Sequence, residues 1–378
     1  MLFECRDLDD RELAVVKQVE DLKQSLRWQL HEPRRWLGSL RRLSFARNIQ
    51  GSNSIEGFDA ALDDAAAVLA GEEPLDASEE TRLALAGYRD AMTYVLQLAD
   101  EPDFAHSEQL IKSLHFMMTS YDLKNRPGRW RSGPIYVHNE RTDQIVHEGA
   151  DITEVPKLMH ELVLSMDESG SDLPVIVRAG MAHLNLAMIH PFRDGNGRMA
   201  RCLQSLVLAR EGVLSPVFMS IEEYLGRNTD AYYRVLGEVG GGSCQPHRDP
   251  RAWVRFILTA HLRQARTLQT RVTESEQLWQ QLERLVASRG LSPRGLLALF
   301  DAAQGLRIRR ATYMSYFDDE PISEQTASRD LRQMVDGGLL LPRGEKRGRH
   351  YVGTPELRAV FRAIVDVRKA RDDADPFA

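Results

Sequence analysis

The sequence predicts a mainly α-helical protein of two or three domains. Through most of the chain, apolar side chains recur three and four positions apart with charged residues between them, as over 8–31 and 79–100, which is typical of amphipathic helices. The length of 378 residues exceeds that of one ordinary domain. Hydrophobic residues make up 43% of the chain and charged residues 28%. These fractions match globular proteins and argue against wholesale disorder.

The balance of charges excludes a generally basic protein. Lys and Arg total 49 against 55 Asp and Glu, a net charge of −6, so contact with nucleic acid requires a local basic patch. Cys5, Cys202 and Cys244 are far apart and odd in number, which argues against a disulfide framework and a paired-cysteine metal site. The first residues are acidic, and no apolar run reaches the roughly 20 residues that span a bilayer. We therefore expect a cytoplasmic protein without membrane contact.

Two features interrupt the helical pattern in the first 290 residues. The β-prone runs Ile135–Val137 and Gln144–Val146 flank a polar turn, which predicts an isolated β-hairpin within 127–148. The stretch 237–250 is rich in glycine and proline, so it is the best candidate for a boundary or a flexible loop. A long helix is predicted after it, over 251–289.

The C-terminal part has a different pattern. Short helical pieces at 293–303, 307–316 and 323–336 precede two predicted strands around a basic turn that contains glycine. This order is the one expected of a winged helix-turn-helix. One more amphipathic helix is predicted to begin at Thr354-Pro355, and the last residues to be frayed.

The densest chemistry lies in the segment HPFRDGNGRMAR, residues 190–201. One apolar helical stretch ends at its His-Pro step and another begins past Arg201, so the segment is predicted to be a loop between two buried helices. Gly195 and Gly197 allow backbone N–H groups to converge at the start of the second helix, where the helix dipole adds positive potential. The pattern therefore predicts an anion cradle.

The side chains of this segment suit phosphate chemistry. Arg198 and Arg201 are three positions apart, so both project toward the anion. Asp194 is placed to hold Mg²⁺ against phosphates, and His190 is the nearby group able to take a proton near neutral pH. Taken singly, these residues could be a helix-end histidine, a turn-forming aspartate and solvated arginines. Together they supply the activation, charge neutralisation and positioning that phosphate transfer needs.

This segment resembles the HPFx(D/E)GNGRxxR signature of the Fic family and matches it at every fixed position. The resemblance implies a Fic-type helical bundle with a small β-hairpin flap. It also implies that the protein is an enzyme, which transfers AMP from ATP to a Ser, Thr or Tyr hydroxyl of a target protein. It implies that His190 deprotonates the hydroxyl, that Asp194 binds Mg²⁺, and that Arg198 and Arg201 hold the outer phosphates. The nucleotide-binding set it implies is Glu56, His190, Gly195, Asn196, Gly197, Arg198, Met199, Ala200, Arg201 and Asn228.

Two flanking segments extend the resemblance. The hairpin at 133–147 lies where the family has its flap, which pins the target by strand-like pairing; the alternative is an ordinary surface hairpin. The segment YLGRN at 224–228 resembles the part that closes over the nucleoside, with Asn228 as the candidate for a ribose or base contact. Tyr232 and Tyr233 belong to the same region and could equally be core residues.

The upstream segment SNSIEG resembles the (S/T)xxxE(G/N) inhibitory motif of some Fic proteins. Ser52 and Asn53 favour a helix start and Gly57 a helix stop, so the pattern predicts a very short helix that presents Glu56 near its end. The alternative is a solvated helix carboxylate. The resemblance implies that Ser52, Glu56 and Gly57 are regulatory and that Glu56 forms an ion pair with Arg201. The pair would occupy the place of the γ-phosphate, so ATP would bind misaligned for attack.

The segment 323–352 resembles the winged-helix domain of many longer bacterial Fic proteins. Its recognition-helix candidate, around Thr326–Val335, is predicted to be electrostatically neutral, with Glu324 and Asp330 against Arg329 and Arg332. The basic residues of the wing are Arg343, Lys346, Arg347 and Arg349. DNA binding is one expectation, and target docking or dimer support is the alternative.

These expectations divide the chain into five regions: an N-terminal helical region with the inhibitory motif (1–100), a Fic catalytic core (101–240), a helical connector (251–289), a winged helix-turn-helix (290–355), and a C-terminal helix with a frayed tail (356–378). The leading hypothesis is an ATP-dependent protein adenylyltransferase that modifies a target or itself and forms a homodimer. The alternatives are removal of AMP, phosphotransfer of the kind seen in the same family, and a nucleotide-sensing regulator that binds DNA.

Overall fold

The computed structural model describes residues 1–31, 34–139, 144–166, 173–210, 215–317, 320–345, 348–368 and 374–378. These residues are mainly helical, as predicted. In the first half the elements are α1 (Asp10–His31), α2 (Leu37–Ser54), α3 (Leu62–Leu69), α4 (Glu79–Leu98), α5 (Glu108–Thr119), β1 (Tyr136–Asn139), β2 (Gln144–Glu148), α6 (Val155–Met166) and α7 (Val175–Ile189). In the second half they are α8 (Asn196–Ala209), α9 (Pro216–Met219), α10 (Glu222–Arg227), α11 (Thr229–Gly240), α12 (Arg251–Ser288), α13 (Leu296–Ala303), α14 (Arg310–Ser315), α15 (Glu324–Asp336), β3 (Leu340–Arg343), β4 (His350–Gly353) and α16 (Pro355–Asp366).

The centre of the first hydrophobic core is formed by α7 and α8, which pack against each other and against α4, α6 and α12. Nearly every side chain of these two helices is buried, including polar ones such as Asn185 and Arg201. A helix that is buried on all sides is surrounded by other elements. The loop between α7 and α8 is thereby held on a rigid support.

The helix α12 belongs to both large hydrophobic clusters. Its first half, with Trp253 and Ile257, packs in the core around α7, where the Trp253 indole N–H donates to the carbonyl of Gly180 at 2.8 Å. Its second half, with Leu278 and Leu282, packs with α13 and α15 in the second cluster. One continuous helix of 38 residues thus joins the two clusters. The predicted domain boundaries on either side of it stay predictions.

Both small sheets are antiparallel hairpins. The pairing of β1 with β2 matches Tyr136 with Glu148 and has an irregularity between Val137 and His138, so the hairpin predicted within 127–148 is confirmed. β3 pairs with β4, matching Leu340 with Gly353. The elements α13, α14, α15, β3 and β4 follow the predicted order, and their identification as a winged helix-turn-helix stays a prediction. Lys346 and Arg347 of the predicted wing lie outside the described residues.

Two predictions of local structure are wrong. Ser52 and Asn53 lie in the last turn of the 18-residue helix α2 instead of starting a short helix, because buried apolar residues such as Leu43 and Ile49 continue the helical pattern up to them. The last residues are not frayed where the structure describes them. Phe377 is 8% exposed, and its carbonyl accepts a hydrogen bond from Arg11 at 2.9 Å. Burial of an aromatic ring orders this end of the chain.

The start of α16 agrees with the prediction, since the Thr354 hydroxyl accepts from the N–H of Leu357 and Pro355 follows in the first turn. Among the described residues, no helix has both the length and the apolar composition needed to cross a membrane.

Candidate active site

The predicted loop between two buried helices is present but shorter than 190–201. It covers 190–195, and residues 196–201 already form the first turns of α8. His190 ends α7 in the left-handed conformation, with φ of +53°, and Gly195 precedes α8 with φ of +74°. The side chain of Asn196 bridges back to Phe192, accepting from its N–H and donating to its carbonyl, both at 2.9 Å. The amide of Asn196 therefore fixes the loop, while the first N–H groups of α8 have no acceptor inside the helix. These N–H groups are the candidate donors for an anion.

His190 is held in the tautomer that a general base requires. Its Nδ1 atom lies 3.1 Å from the carbonyl oxygen of Ala187. A carbonyl only accepts hydrogen bonds, so Nδ1 carries the proton and Nε2 keeps its lone pair. Desolvation by the surrounding protein lowers the pKa of His190 to about 4. The ring is therefore neutral, with Nε2 able to accept a proton, at neutral pH.

The two arginines of the motif are each 1% exposed and bind different groups. The Nε and Nη2 atoms of Arg201 donate to the hydroxyl and the carbonyl of Ser52, at 2.8 and 2.9 Å. The Nη1 atom of Arg198 donates to the Tyr121 hydroxyl at 3.0 Å, and its guanidinium lies 5.0 Å from the ring centre of Phe58. Both buried charges thus have partners in segments far away in the sequence.

Glu56 lies inside the predicted cradle. Its Oε1 atom is 2.6 Å from Nη2 of Arg201, so the ion pair expected from the inhibitory motif is present. A Cβ atom added to Gly197 would overlap the same oxygen, which places the carboxylate over the first turn of α8. Burial opposes ionisation of Glu56, but Arg201 outweighs it and the pKa of this carboxyl lies below its ordinary value. The carboxylate is therefore charged.

Gly57 ends the turn that presents this carboxylate. Its φ is +81°, a conformation that glycine adopts without strain. The amide N–H of Glu56 donates to the carbonyl of Asn53 at 3.0 Å. The turn directly follows α2, so Ser52 and Glu56 both reach Arg201 from one element.

Asp194 points away from the core, with 47% of its side chain exposed. Its Oδ2 atom lies 3.5 Å from Nδ2 of Asn125 and 3.6 Å from Nη2 of Arg198. The described residues contain no cluster of three or more His, Cys, Asp or Glu side chains that could hold a metal. A single accessible carboxylate beside the cradle fits Mg²⁺, which takes its other ligands from water and substrate phosphates.

His115 is a residue of the site that the sequence analysis missed. Its Nδ1 atom accepts from the N–H of Gly128 at 2.9 Å, so Nε2 carries the proton and donates to the carbonyl of Asp194, also at 2.9 Å. Its ring stacks on Phe192, with ring centres 3.6 Å apart, and burial lowers its pKa to about 4. A histidine on an amphipathic helix carries no local signal that it supports a loop 79 residues away.

The tyrosines of the predicted nucleoside segment divide between two roles. Tyr232 is 1% exposed and its hydroxyl lies 2.9 Å from Nε2 of His183, so it is a core residue. Tyr233 is 47% exposed, and its hydroxyl donates to the carbonyl of Ile55 in the turn that carries Glu56, at 3.2 Å. Tyr233 therefore contacts the turn of Glu56 from the surface, whereas Tyr232 lies in the core beneath Arg201.

Three members of the implied nucleotide-binding set make other contacts in the structure. The side chains of Met199 and Ala200 are fully buried in the first hydrophobic cluster. The half-buried Asn228 lies between α10 and α11, where its amide donates to the carbonyl of Tyr224 at 2.8 Å. A ribose or base contact by Asn228 stays a prediction.

Part of this site lies in a segment that is similar to a known family. Residues 105–208 match the Fic/DOC family model. The chain is 26% identical over 271 residues to "Protein adenylyltransferase Fic" of Nematostella vectensis, a match covering 68% of this chain and 58% of that protein. It is 37% identical over 129 residues to "Protein adenylyltransferase fic-1" of Caenorhabditis briggsae, covering 33% and 23%. The chain thus spans less than two thirds of the length of these relatives.

A solved structure supports the fold. The crystal structure of a Fic family protein from Desulfovibrio desulfuricans G20 superposes with a TM-score of 0.56 at 21% identity, covering 93% of this chain and 99% of that one. The family model ends within α8, and the HPFRDGNGRMAR segment lies inside the matched range. Residues 105–208 are therefore the part of the chain that is similar to the Fic/DOC family.

Proposed function

We propose that this protein is an ATP-dependent protein adenylyltransferase that Glu56 holds in a state of low activity. The observation that carries the proposal is the position of the Glu56 carboxylate, which pairs with Arg201 over the first turn of α8. A site built to hold a phosphate group is occupied by a carboxylate of the same chain. The adenylyltransferase names of the Nematostella and Caenorhabditis relatives support the reaction class.

In the proposed reaction, a Ser, Thr or Tyr hydroxyl of the target gives its proton to Nε2 of His190. The hydroxyl oxygen bonds to the α-phosphorus of ATP while the bond to the bridging oxygen breaks, and pyrophosphate leaves. Arg198 and Arg201 balance the charge of the outer phosphates. Asp194 would hold Mg²⁺, which when bound supplies further charge neutralisation.

The edge of the β1–β2 hairpin is the proposed docking place for the target. Tyr136, Ile145 and Val146 are 44%, 56% and 41% exposed there. An extended segment of the target can add to such an edge by backbone hydrogen bonds. Alternate side chains of that segment would then contact the apolar side chains of the hairpin. Self-modification, a homodimer and a cytoplasmic location are part of the same proposal.

The test is transfer from ATP labelled at the α-phosphate, in the presence of Mg²⁺, followed by intact-mass measurement. We expect weak labelling of the wild-type protein, strong labelling of Glu56→Gly, and none when His190→Ala is added. Asp59→Gly, at an exposed acidic position three residues further on, is the matched control and should behave like wild type. Equal labelling of wild type and Glu56→Gly would refute the brake.

The mass of the product separates the related reactions. Transfer of AMP adds about 329 Da and transfer of phosphate about 80 Da, from the chemistry of the transferred group. The presence of both motif arginines and of the second glycine favours the orientation of ATP that leads to AMP transfer over the one that leads to phosphotransfer. Loss of about 329 Da from a modified protein would instead indicate removal of AMP. A protein that binds ATP and transfers nothing would act as a nucleotide sensor.

DNA binding by the C-terminal unit is a second candidate function that one observation favours. Asp330 on α15 is 3% exposed and pairs with Nε of Arg294 at 2.6 Å. Asp330 also lies 4.0 Å from Nε of Arg329, whereas Arg332 is exposed one turn away. Because the charge of Asp330 is shared with the buried pair to Arg294, the outer face of α15 is more basic than the sequence alone indicates. A gel shift at two salt concentrations tests this, because phosphate contacts weaken as salt rises.

A further inference from the structure

Arg131 lies between the helical core and the hairpin, and only 7% of it is exposed. Its backbone N–H donates to the carbonyl of Pro191 at 2.8 Å. Its side chain donates to three further backbone carbonyls: from Nε to His190 at 2.8 Å, from Nη1 to Gly133 at 2.7 Å, and from Nη2 to Ala150. One guanidinium thus holds three carbonyls from three separate segments.

These acceptors belong to the two parts that the reaction must bring together. His190 opens the loop that carries the base, whereas Gly133 and Ala150 lie on either side of the hairpin on which the target is proposed to dock. The N–H of Ala150 also donates to the carbonyl of Ile189 at 3.2 Å. Because the guanidinium is a rigid planar fork, it fixes both flanks of the hairpin relative to the base.

His190 needs such support because its backbone is left-handed, with φ of +53°. Residues other than glycine rarely adopt this conformation, and they keep it only where neighbours impose it. The N–H of His190 donates to the carbonyl of Leu186 at 2.9 Å, and its own carbonyl accepts from Arg131. The hydrogen bond from Arg131 therefore helps to hold the backbone that carries the imidazole.

Gly149 shows how close the hairpin approaches the base. A Cβ atom there would lie 2.7 Å from Cγ2 of Ile135, 3.1 Å from Cβ of His190 and 3.2 Å from Nη2 of Arg131. Only a glycine allows this approach without displacing one of these groups. Hairpin, base and guanidinium are consequently in direct contact.

We infer that Arg131 is a positioning residue, which sets the distance between a target segment paired along the hairpin and Nε2 of His190. This inference rests on the proposed function. It predicts that Arg131 governs the rate of transfer and leaves the affinity for ATP unchanged, because the hydrogen bonds of its side chain go to the hairpin flanks and to the backbone of His190.

The experiment compares Arg131→Lys and Arg131→Gln with Arg129→Lys and Arg129→Gln, all in the Glu56→Gly protein. Arg129 is an exposed arginine two positions earlier. We expect the Arg131 variants to lower kcat for labelling about 10- to 100-fold, with Kd for ATP within about twofold of the parent by calorimetry. The Arg129 variants should match the parent. An unchanged kcat, or a loss of ATP affinity in proportion to the loss of rate, would overturn the inference.

Two further readouts separate positioning from loss of structure and from failure of the proposed function. Guanidinium ion added to Arg131→Ala should restore part of the rate, which a misfolded variant would not show. In spectra of protein with ¹⁵N-labelled histidine, Arg131→Gln should change the imidazole resonances of His190 and Arg129→Gln should not. If the Glu56→Gly parent transfers nothing, the proposed function fails, and unchanged His190 resonances in Arg131→Gln would then refute the positioning role separately.

Discussion

The carboxylate of Glu56 lies over the backbone of Gly197, so closely that a Cβ atom there would overlap its Oε1 atom. The two residues belong to segments that are far apart in the sequence, the turn after α2 and the first turn of α8. The start of a helix attracts an anion through its N–H groups and its dipole. Glu56 supplies that anion from within the chain, and in the proposed function it competes there with a phosphate group.

Gly197→Ala should abolish nucleotide binding instead of releasing the brake. The methyl group would push Glu56 away, but it would also stand where a phosphate must approach the backbone. We expect ATP affinity to fall at least about tenfold, also in the Glu56→Gly background, as measured by calorimetry. Gly237→Ala, where a Cβ atom meets nothing within 4 Å, is the control. Increased labelling of Gly197→Ala would contradict this account of the cradle.

The rate of transfer should be independent of pH near neutrality and fall in acid. The pKa of His190 is lowered to about 4, so its Nε2 atom is unprotonated at neutral pH and becomes protonated as the pH falls toward 4. A protonated imidazole cannot accept the hydroxyl proton. The profile of kcat against pH for Glu56→Gly should therefore lack an inflection between about pH 6 and 8. The profile would contradict this expectation if it showed an inflection near the ordinary histidine pKa and Arg129→Gln did not remove that inflection. His190 would then titrate normally.

Gly51→Ala should destabilise the fold, whereas Gly38→Ala in the same helix should not. A Cβ atom at Gly51 would lie 2.6 Å from the carbonyl oxygen of Glu222 and 2.9 Å from Cα of Glu223, both backbone atoms of α10. We expect the free energy of unfolding to fall by about 1–3 kcal/mol. A Cβ atom at Gly38 would have nothing within 4 Å. Gly38→Ala should therefore raise the free energy of unfolding slightly, by up to about 1 kcal/mol. Urea unfolding measures both, and equal effects would refute this packing.

Stability should decrease as the pH rises toward 7 because of Glu222. This carboxyl is 1% exposed, and burial raises its pKa from 4.5 to about 7, although the hydroxyls of Tyr88 and Ser205 donate to it. Between these two values the folded protein keeps a proton that the unfolded chain has lost, so the folded state loses up to roughly 3 kcal/mol across this range. Glu222→Gln, which stays neutral, should remove this slope from urea unfolding measured at several pH values. An identical slope in both proteins would contradict the raised pKa.

Arg307 should stabilise the contact between the C-terminal unit and α3. The Arg307 side chain is 10% exposed and pairs with the carboxylates of Asp63 and Asp64. The Asp64 carboxylate lies 2.5 Å from Nη2 of Arg307, and its side chain is 1% exposed. Removing the guanidinium leaves a buried carboxylate without its cation, so Arg307→Ala should cost about 3 kcal/mol. Arg310→Ala breaks a pair with Glu324 in which both side chains are exposed and should cost less than about 1 kcal/mol. Thermal unfolding compares them, and equal losses would argue against a buried anchor.

Local patterns predicted the elements of the site but not their neighbours. The loop at 190–195 follows from two apolar helices separated by glycines, and the hairpin from two β-prone runs around a turn. Helix capping preferences misplaced Ser52, since the burial of α2 outweighs the tendency of serine to start a helix. Asp330 was counted as a surface charge because its partner Arg294 is 36 residues away. The spacing of residues in the sequence does not indicate such distant contacts.

The sequence by itself determined the helical fold, the hairpin and the chemistry of the anion cradle, because periodicity, glycines and the types of side chain are local properties. The resemblance to the Fic family added the expectation that Glu56 meets Arg201, 145 residues away. Only the tertiary structure decided that Tyr232 is a core residue, that His115 supports Asp194, and that Arg131 joins the hairpin to His190. These contacts arise from packing of remote segments around α7 and α8, where burial favours a partner for each polar group.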